Sequence, residues 1–248
     1  MRMLLNFAIK YQSLILIAVV WQIMYLMNVF PEKLFPGLHT IVGSLIELAS
    51  SMDLWENIFI TLQRVLLGFG IAAIVGIVIG ILMSRSQLMD NIMQPIFTAG
   101  YPIPRVALYP IIVLLFGLGS TSKVIIVFLE CLFPIVVNTY YGAKRVNQIH
   151  IWSGQNLGAN SRQLFWRVFI PGTMPSIFTG FRIALPIAVV ITVLTEMISS
   201  NNGIGFLLTY LTASLSQSKV LAAVIAISIF GYLLDRILIL IQKKFVYW

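Results

Sequence analysis

Apolar residues in this chain fall in long runs separated by short polar stretches. A helix needs about 20 apolar residues to cross a ~30 Å hydrocarbon core. Six segments reach or approach that length: 13–30, 61–83, 92–118, 124–142, 175–198 and 220–241. They predict an all-α membrane protein of about six transmembrane helices, built as a single domain over residues 1–248. Arg2 and Lys10 precede the first segment, as in the basic start of a signal peptide. No small-residue cleavage site follows and further spans do, so a retained helix is expected. The clearest segment is 61–83, with Gly68, Gly70, Gly76 and Gly80. The four-residue step from Gly76 to Gly80 either lets a neighbouring helix approach closely or reflects the tolerance of membrane helices for glycine.

The third segment is interrupted by Pro95, Pro102, Pro104 and Pro110, with Arg105 among them. Proline removes a backbone donor and clashes with the preceding turn. The uninterrupted part, 106–117, would be only ~18 Å long. Either one helix kinks at Pro110, or the span is broken. Broken backbone at membrane depth needs protein or a wet cavity around it, so this segment is expected inside the bundle, near a pathway. The stretch 31–57 is polar, and within it 39–51 has the pattern of an amphipathic surface helix.

Composition agrees with lipid as the main solvent. The chain is 59% hydrophobic and 10% charged, with mean hydropathy +0.97, against about 25% charged in soluble domains. A lone cysteine, Cys131, excludes a disulfide framework. The net charge of +8 does not come from one basic patch, so it speaks for membrane orientation and not for nucleic acid. With the N-terminus inside, twelve of the sixteen basic residues fall at cytoplasmic ends, including Arg105 and Arg182. Lys33, Arg64, Lys123 and Lys219 fall outside. This bias places both termini in the cytoplasm.

The same orientation makes the polar, basic island at 149–171 cytoplasmic. Its first part can form a short helix that Gly158 ends in a left-handed turn. Asn160 followed by Gln163 suits the start of a second helix, which Pro171 and Pro175 would stop before the fifth span. Two readings follow: a rigid element that grips a cytoplasmic partner, or an interfacial hairpin held by lipid.

Gly158, nine residues, then Val168-Phe169-Ile170-Pro171 resembles the cytoplasmic loop of bacterial ATP-binding-cassette importer permeases, Glu-Ala-Ala, three residues, Gly, nine residues, Ile-x-Leu-Pro. The likeness extends along 54–248, through Arg64-Val65-Leu66-Leu67-Gly68-Phe69, Ile103-Pro104-Arg105-Val106-Ala107-Leu108-Tyr109-Pro110, Phe116-Gly117-Leu118-Gly119, Gly180-Phe181-Arg182-Ile183-Ala184, and Glu196-Met197 with Gly203-Ile204-Gly205. Together these are similar to the nitrate/sulfonate/taurine branch. One departure stands out: Trp152-Ser153-Gly154 occupies the Glu-Ala-Ala positions.

The resemblance implies a type I importer permease of the bacterial inner membrane, with a coupling helix between spans four and five. It implies that Trp152, Gly158, Ala159, Ser161, Arg162, Phe165, Val168 and Pro171 contact a cytoplasmic ATPase dimer. Trp152 would fill an apolar pocket in place of the family's Glu. ATP and Mg would sit on that partner, since the chain has no phosphate-binding loop motif and no cofactor of its own. A second permease copy follows from the family's architecture as a homodimer, and an extracytoplasmic binding protein would deliver a small anion or, alternatively, a vitamin precursor or other small nitrogen-containing solute.

Ionisable groups within spans are costly and mark pathways. Glu130 and Glu196, with Arg105 and the aromatic Tyr101 and Tyr109, are therefore pathway candidates. Each also has a structural use: Glu130 in a buried pair, Glu196 as a contact to the outer loop, and the tyrosines in packing. An intramembrane enzyme is disfavoured, because the two histidines, His39 and His150, offer no metal spacing. An ATP-independent channel or secondary transporter would more often show inverted repeats or paired ion ligands.

Overall fold

The computed structural model describes residues 2–246 except Tyr101. Among them every regular element is helical. Helix α1 covers Arg2–Leu26, α2 Leu38–Ser50, α3 Met52–Arg85, and α4 Gln87–Gly100. A 3₁₀ turn, Arg105–Leu108, leads into α5, Tyr109–Phe116, and then α6, Ser120–Lys144. The loop helices are α7, Gln148–Asn156, and α8, Ser161–Leu164. A π turn, Phe165–Phe169, joins α8 to α9, Ile170–Ser199, and α10, Ile204–Ala213, and α11, Gln217–Phe245, complete the chain.

Four helical stretches are long and apolar enough to cross a membrane: Met52–Arg85, Ser120–Lys144, Ser161–Ser199 and Gln217–Phe245. A fifth arises if α4 and the 3₁₀–α5 segment, bent by 88°, form one broken span. The apolar part of α1 is Ile15–Leu26. The proline-rich third segment is thus broken and not kinked at Pro110. Pro110 lies in the first turn of α5, where a missing N–H leaves no helix bond unmade, and Pro104 precedes the 3₁₀ turn.

Helices α3, α6 and α9 form the core layer, with Val65, Ala72, Val127, Ile135, Ala184 and Ala188 buried among them. In lipid there is no hydrophobic drive between helices, so close contact rests on small residues and interlocking shape. The α3 glycines supply that contact. A Cβ on Gly68, Gly76 or Gly80 would lie 2.6–2.7 Å from Val127, Ile135 or Thr139 of α6. This decides between the two readings of the Gly76–Gly80 step in favour of close packing. Gly70, on another face of α3, meets nothing within 4 Å. On the far side, α2 lies against α11, where Lys219 and Glu47 pair at 2.6 Å.

Gly76→Val should push α3 off α6 and lower the thermal stability of the purified protein by about 1–3 kcal/mol equivalent. Adding Ile135→Ala should recover part of the loss, and Gly70→Ala should be near neutral. Equal effects at Gly70 and Gly76 would contradict this packing.

Candidate functional site

The loop between α6 and α9 is assembled from local hydrogen bonds. The Asn147 side chain caps α7 by accepting from Ile149 N–H at 2.9 Å. Gly158, at φ +82°, turns the chain where an L side chain would be strained. Ala159 N–H then donates to Gly154 C=O at 3.0 Å. Asn160 and Gln163 form a reciprocal capping box that starts α8.

The sequence leads one to expect that Pro171 and Pro175 stop this second helix. Instead α8 runs through the π turn into α9 as one helix, Ser161–Ser199. In the wider turn, Ile170 N–H reaches back to Phe165 C=O. Pro171 then falls in the first turn of α9, where proline is tolerated, and Pro175 lies inside α9.

The loop has an outward and an inward side. Trp152, Gly158, Ser161 and Arg162 are exposed, and Leu157 at the tip is 88% exposed. Ala159, Phe165, Val168 and Pro171 are half-buried. Phe165 stacks on Phe169, and the Arg85 guanidinium at the end of α3 covers both rings, 5.5 and 5.0 Å from their centres. Gly154 also has a local reason: a Cβ there would lie 2.6 Å from Leu164 Cδ2. The glycine that departs from the family pattern is the space into which α8 packs.

Within the spans, two ion pairs organise the charged candidates. Arg105, in the 3₁₀ turn, meets Glu130 of α6 at 3.1 Å, donates to Gly100 C=O at 3.1 Å, and lies 4.2 Å over the Phe133 ring. The sequence reading puts Arg105 at a cytoplasmic end. The structure sets it against Glu130, well inside α6, where it braces the break between α4 and α5.

The second pair joins Arg64 of α3 to Glu196 of α9 at 2.7 Å, with Glu196 fully buried. The Glu196 carboxylate also accepts from Thr61 Oγ1 at 2.9 Å and Gly205 N–H at 3.0 Å. Arg64 donates in addition to Ser120 Oγ and to the Asn202 carbonyl. Nearby, Lys123 Nζ donates to the carbonyls of Leu118 and Ser199 at 2.8 and 2.9 Å. The Tyr109 hydroxyl contacts Ser199 Oγ and the Thr195 carbonyl. Glu196 and Tyr109 are therefore tied into the protein, and Tyr101 lies outside the described residues. Sequence reasoning missed Arg64 and Thr61 as partners of Glu196, and Asn202 as a partner of Arg64. The available signal was an arginine inside an apolar run, which needs a counter-charge.

A bundle of long apolar helices with a capped helical loop on one side defines a multi-pass membrane protein. Known proteins place it further. A family model described as binding-protein-dependent transport system inner membrane component matches residues 72–247. The chain belongs to that family, and it is the permease subunit of an ATP-binding-cassette importer. It is 33% identical over 220 residues to the taurine transport system permease protein TauC of Escherichia coli (strain K12), covering 88% of this chain and 78% of that one. It is 33% identical over 237 residues to the formylaminopyrimidine transport permease protein ThiX of Halalkalibacterium halodurans, covering 93% and 94%. With the nitrate import permease protein NrtB of Synechocystis it shares 34% over 187 residues, covering 75% and 68%.

Glu196→Gln leaves Arg64 without a charged partner and should cost about 3–5 kcal/mol, as for other broken buried pairs. Thermal unfolding of the detergent-purified protein measures it. The double variant Arg64→Met/Glu196→Met should unfold closer to the parent than either single change. Parental stability of Glu196→Gln would remove the pair from its structural role.

Proposed function

We propose that this chain is the membrane half of an importer for a small anion of the nitrate, sulfonate or taurine kind. Six spans cross the inner membrane, and both termini and the loop at 149–171 face the cytoplasm. Two copies form the transmembrane unit, with the pathway between them. A separate ATPase dimer binds ATP and Mg, and an extracytoplasmic binding protein delivers the solute.

The observation that carries this reading is the continuity of Ser161–Ser199. A loop helix that is the start of a span can pass motion from a cytoplasmic partner directly into the membrane. The outward residues Trp152, Leu157, Ser161 and Arg162 suit the contact with the ATPase, and Gly158 sets the angle of the two loop helices. Phe165 and Val168 hold the loop to the spans. The near full-length match to the formylaminopyrimidine permease favours a second substrate reading, a solute of that kind.

Reconstitution with the ATPase and the binding protein tests the proposal. Uptake should require ATP hydrolysis; uptake without the ATPase would mean a channel or secondary transporter. Gly158→Val should insert normally but lose most coupling of hydrolysis to uptake, because its φ favours glycine. Trp152→Ala should weaken copurification with the ATPase, and unchanged copurification would exclude Trp152 as an anchor.

A further inference from the structure

Helix α4 has two exposed faces of opposite character. Ile96, 55% exposed, lies on one. Asn91, Gln94 and Thr98, all exposed, lie on the other, since steps of three and four residues return to the same side of a helix. Among the described residues, none of these three side chains hydrogen-bonds within the chain. Lipid suits the isoleucine face. Unpaired amides and hydroxyls facing hydrocarbon are costly, so the polar face needs water or another polar surface against it.

The surroundings of the stripe point to water and a solute. Gln94 and Thr98 share a cavity of about 350 Å³ with the exposed Tyr141 of α6 and the apolar Met83, Phe97 and Val136, and a more open groove beside it is lined by Asn91, Gln94 and Thr98. The cavity lies between two ion pairs. Toward the loop, Lys144 pairs with Asp90 at 2.8 Å. Toward the membrane centre, Arg105 pairs with Glu130 at the break in α4–α5. Both cations are neutralised by carboxylates, so the wall between them offers neutral donors: the side-chain amides of Asn91 and Gln94 and the hydroxyls of Thr98 and Tyr141.

We propose that Asn91, Gln94, Thr98 and Tyr141 form the loop-side wall of the translocation pathway and hand the oxygens of a small oxyanion or sulfonate along by neutral hydrogen bonds. Neutral donors suit transit, because a pathway must bind well enough to admit a solute and weakly enough to release it. The wall replaces Glu196 and Tyr109 as the part of the chain that meets substrate. It rests on the importer reading above, but its test does not depend on uptake.

The chain's one cysteine, Cys131, is fully buried, so the parent serves as the blank. Gln94→Cys, Thr98→Cys and Ile96→Cys are each assembled with the ATPase and treated with the methanethiosulfonate reagent bearing an ethylsulfonate group. The thiolate displaces methanesulfinate and keeps the ethylsulfonate as a mixed disulfide. In at least one nucleotide state, Cys at 94 and 98 should label about tenfold faster than Cys at 96, since apolar surroundings suppress the thiolate. Added nitrate or taurine should slow labelling at 94 and 98 only. Equal rates at 96 and 98, or protection of 94 and 98 in every nucleotide state with oxidative cross-linking between copies, would overturn the wall. Failure of ATP-driven uptake in the parent would instead overturn the importer reading.

Discussion

A carboxylate with no exposed surface must be neutralised where it sits, and the fold is arranged around one such group. Glu196, near the end of α9, takes a guanidinium from α3, a hydroxyl one turn away on the same helix, and a backbone N–H from α10. Its partners come from α3 and α10, which are also joined where Ile204 N–H donates to Thr61 Oγ1 and Gly203 N–H to Asn57 Oδ1. Removing water from ions is expensive, so this arrangement tolerates little rearrangement once formed. Gly203 and Gly205 follow from it, because a Cβ at either position would collide with the Glu196 side chain or the α9 backbone. The spacing of Glu196, Gly203 and Gly205 is the trace of that crowding in the sequence.

The remaining polar groups divide by the same logic. Arg105 and Glu130 neutralise each other at the break between α4 and α5, and Phe133 covers the guanidinium. Such a break inside a bilayer exposes backbone carbonyls, and Arg105 takes up one of them at Gly100. At the loop, Arg85 over the Phe165 and Phe169 rings holds the end of α3 against the start of α9. The paired charges inside the bundle thus act first as braces, while among the described residues Asn91, Gln94 and Thr98 of α4 make no side-chain hydrogen bond within the chain.

Much of this was legible in the sequence, unevenly. The apolar runs located the long helices, because length in lipid is set by the bilayer. Proline clustering located the break, and Gly158 with the Asn160–Gln163 pair located the loop turn and cap. The pairing of Arg64 with Glu196 was not legible, since the two are 132 residues apart and no local rule connects them. The partner of Arg105 was hidden for the same reason: charge counting assigns an arginine to a membrane side and cannot see Glu130 across the bundle. Pro171 misled because the rule that proline ends a helix says nothing about a π turn that absorbs the irregularity. Gly154 stood out in the sequence only as a departure from the family pattern, whereas the side chain of Leu164 occupies the space a Cβ would need.

The unbroken helix from Ser161 to Ser199 has a consequence for any exchange of parts between related permeases. The capping box begins that helix and Glu196 lies close to its other end. At 3.6 residues per turn, one inserted residue rotates everything beyond it by about 100°. A loop transplanted with a single extra residue would swing the Glu196 carboxylate away from Arg64, on the far side of the membrane from the graft. Loop length and the distant ion pair are therefore one design variable, and chimeras must be joined in helical register.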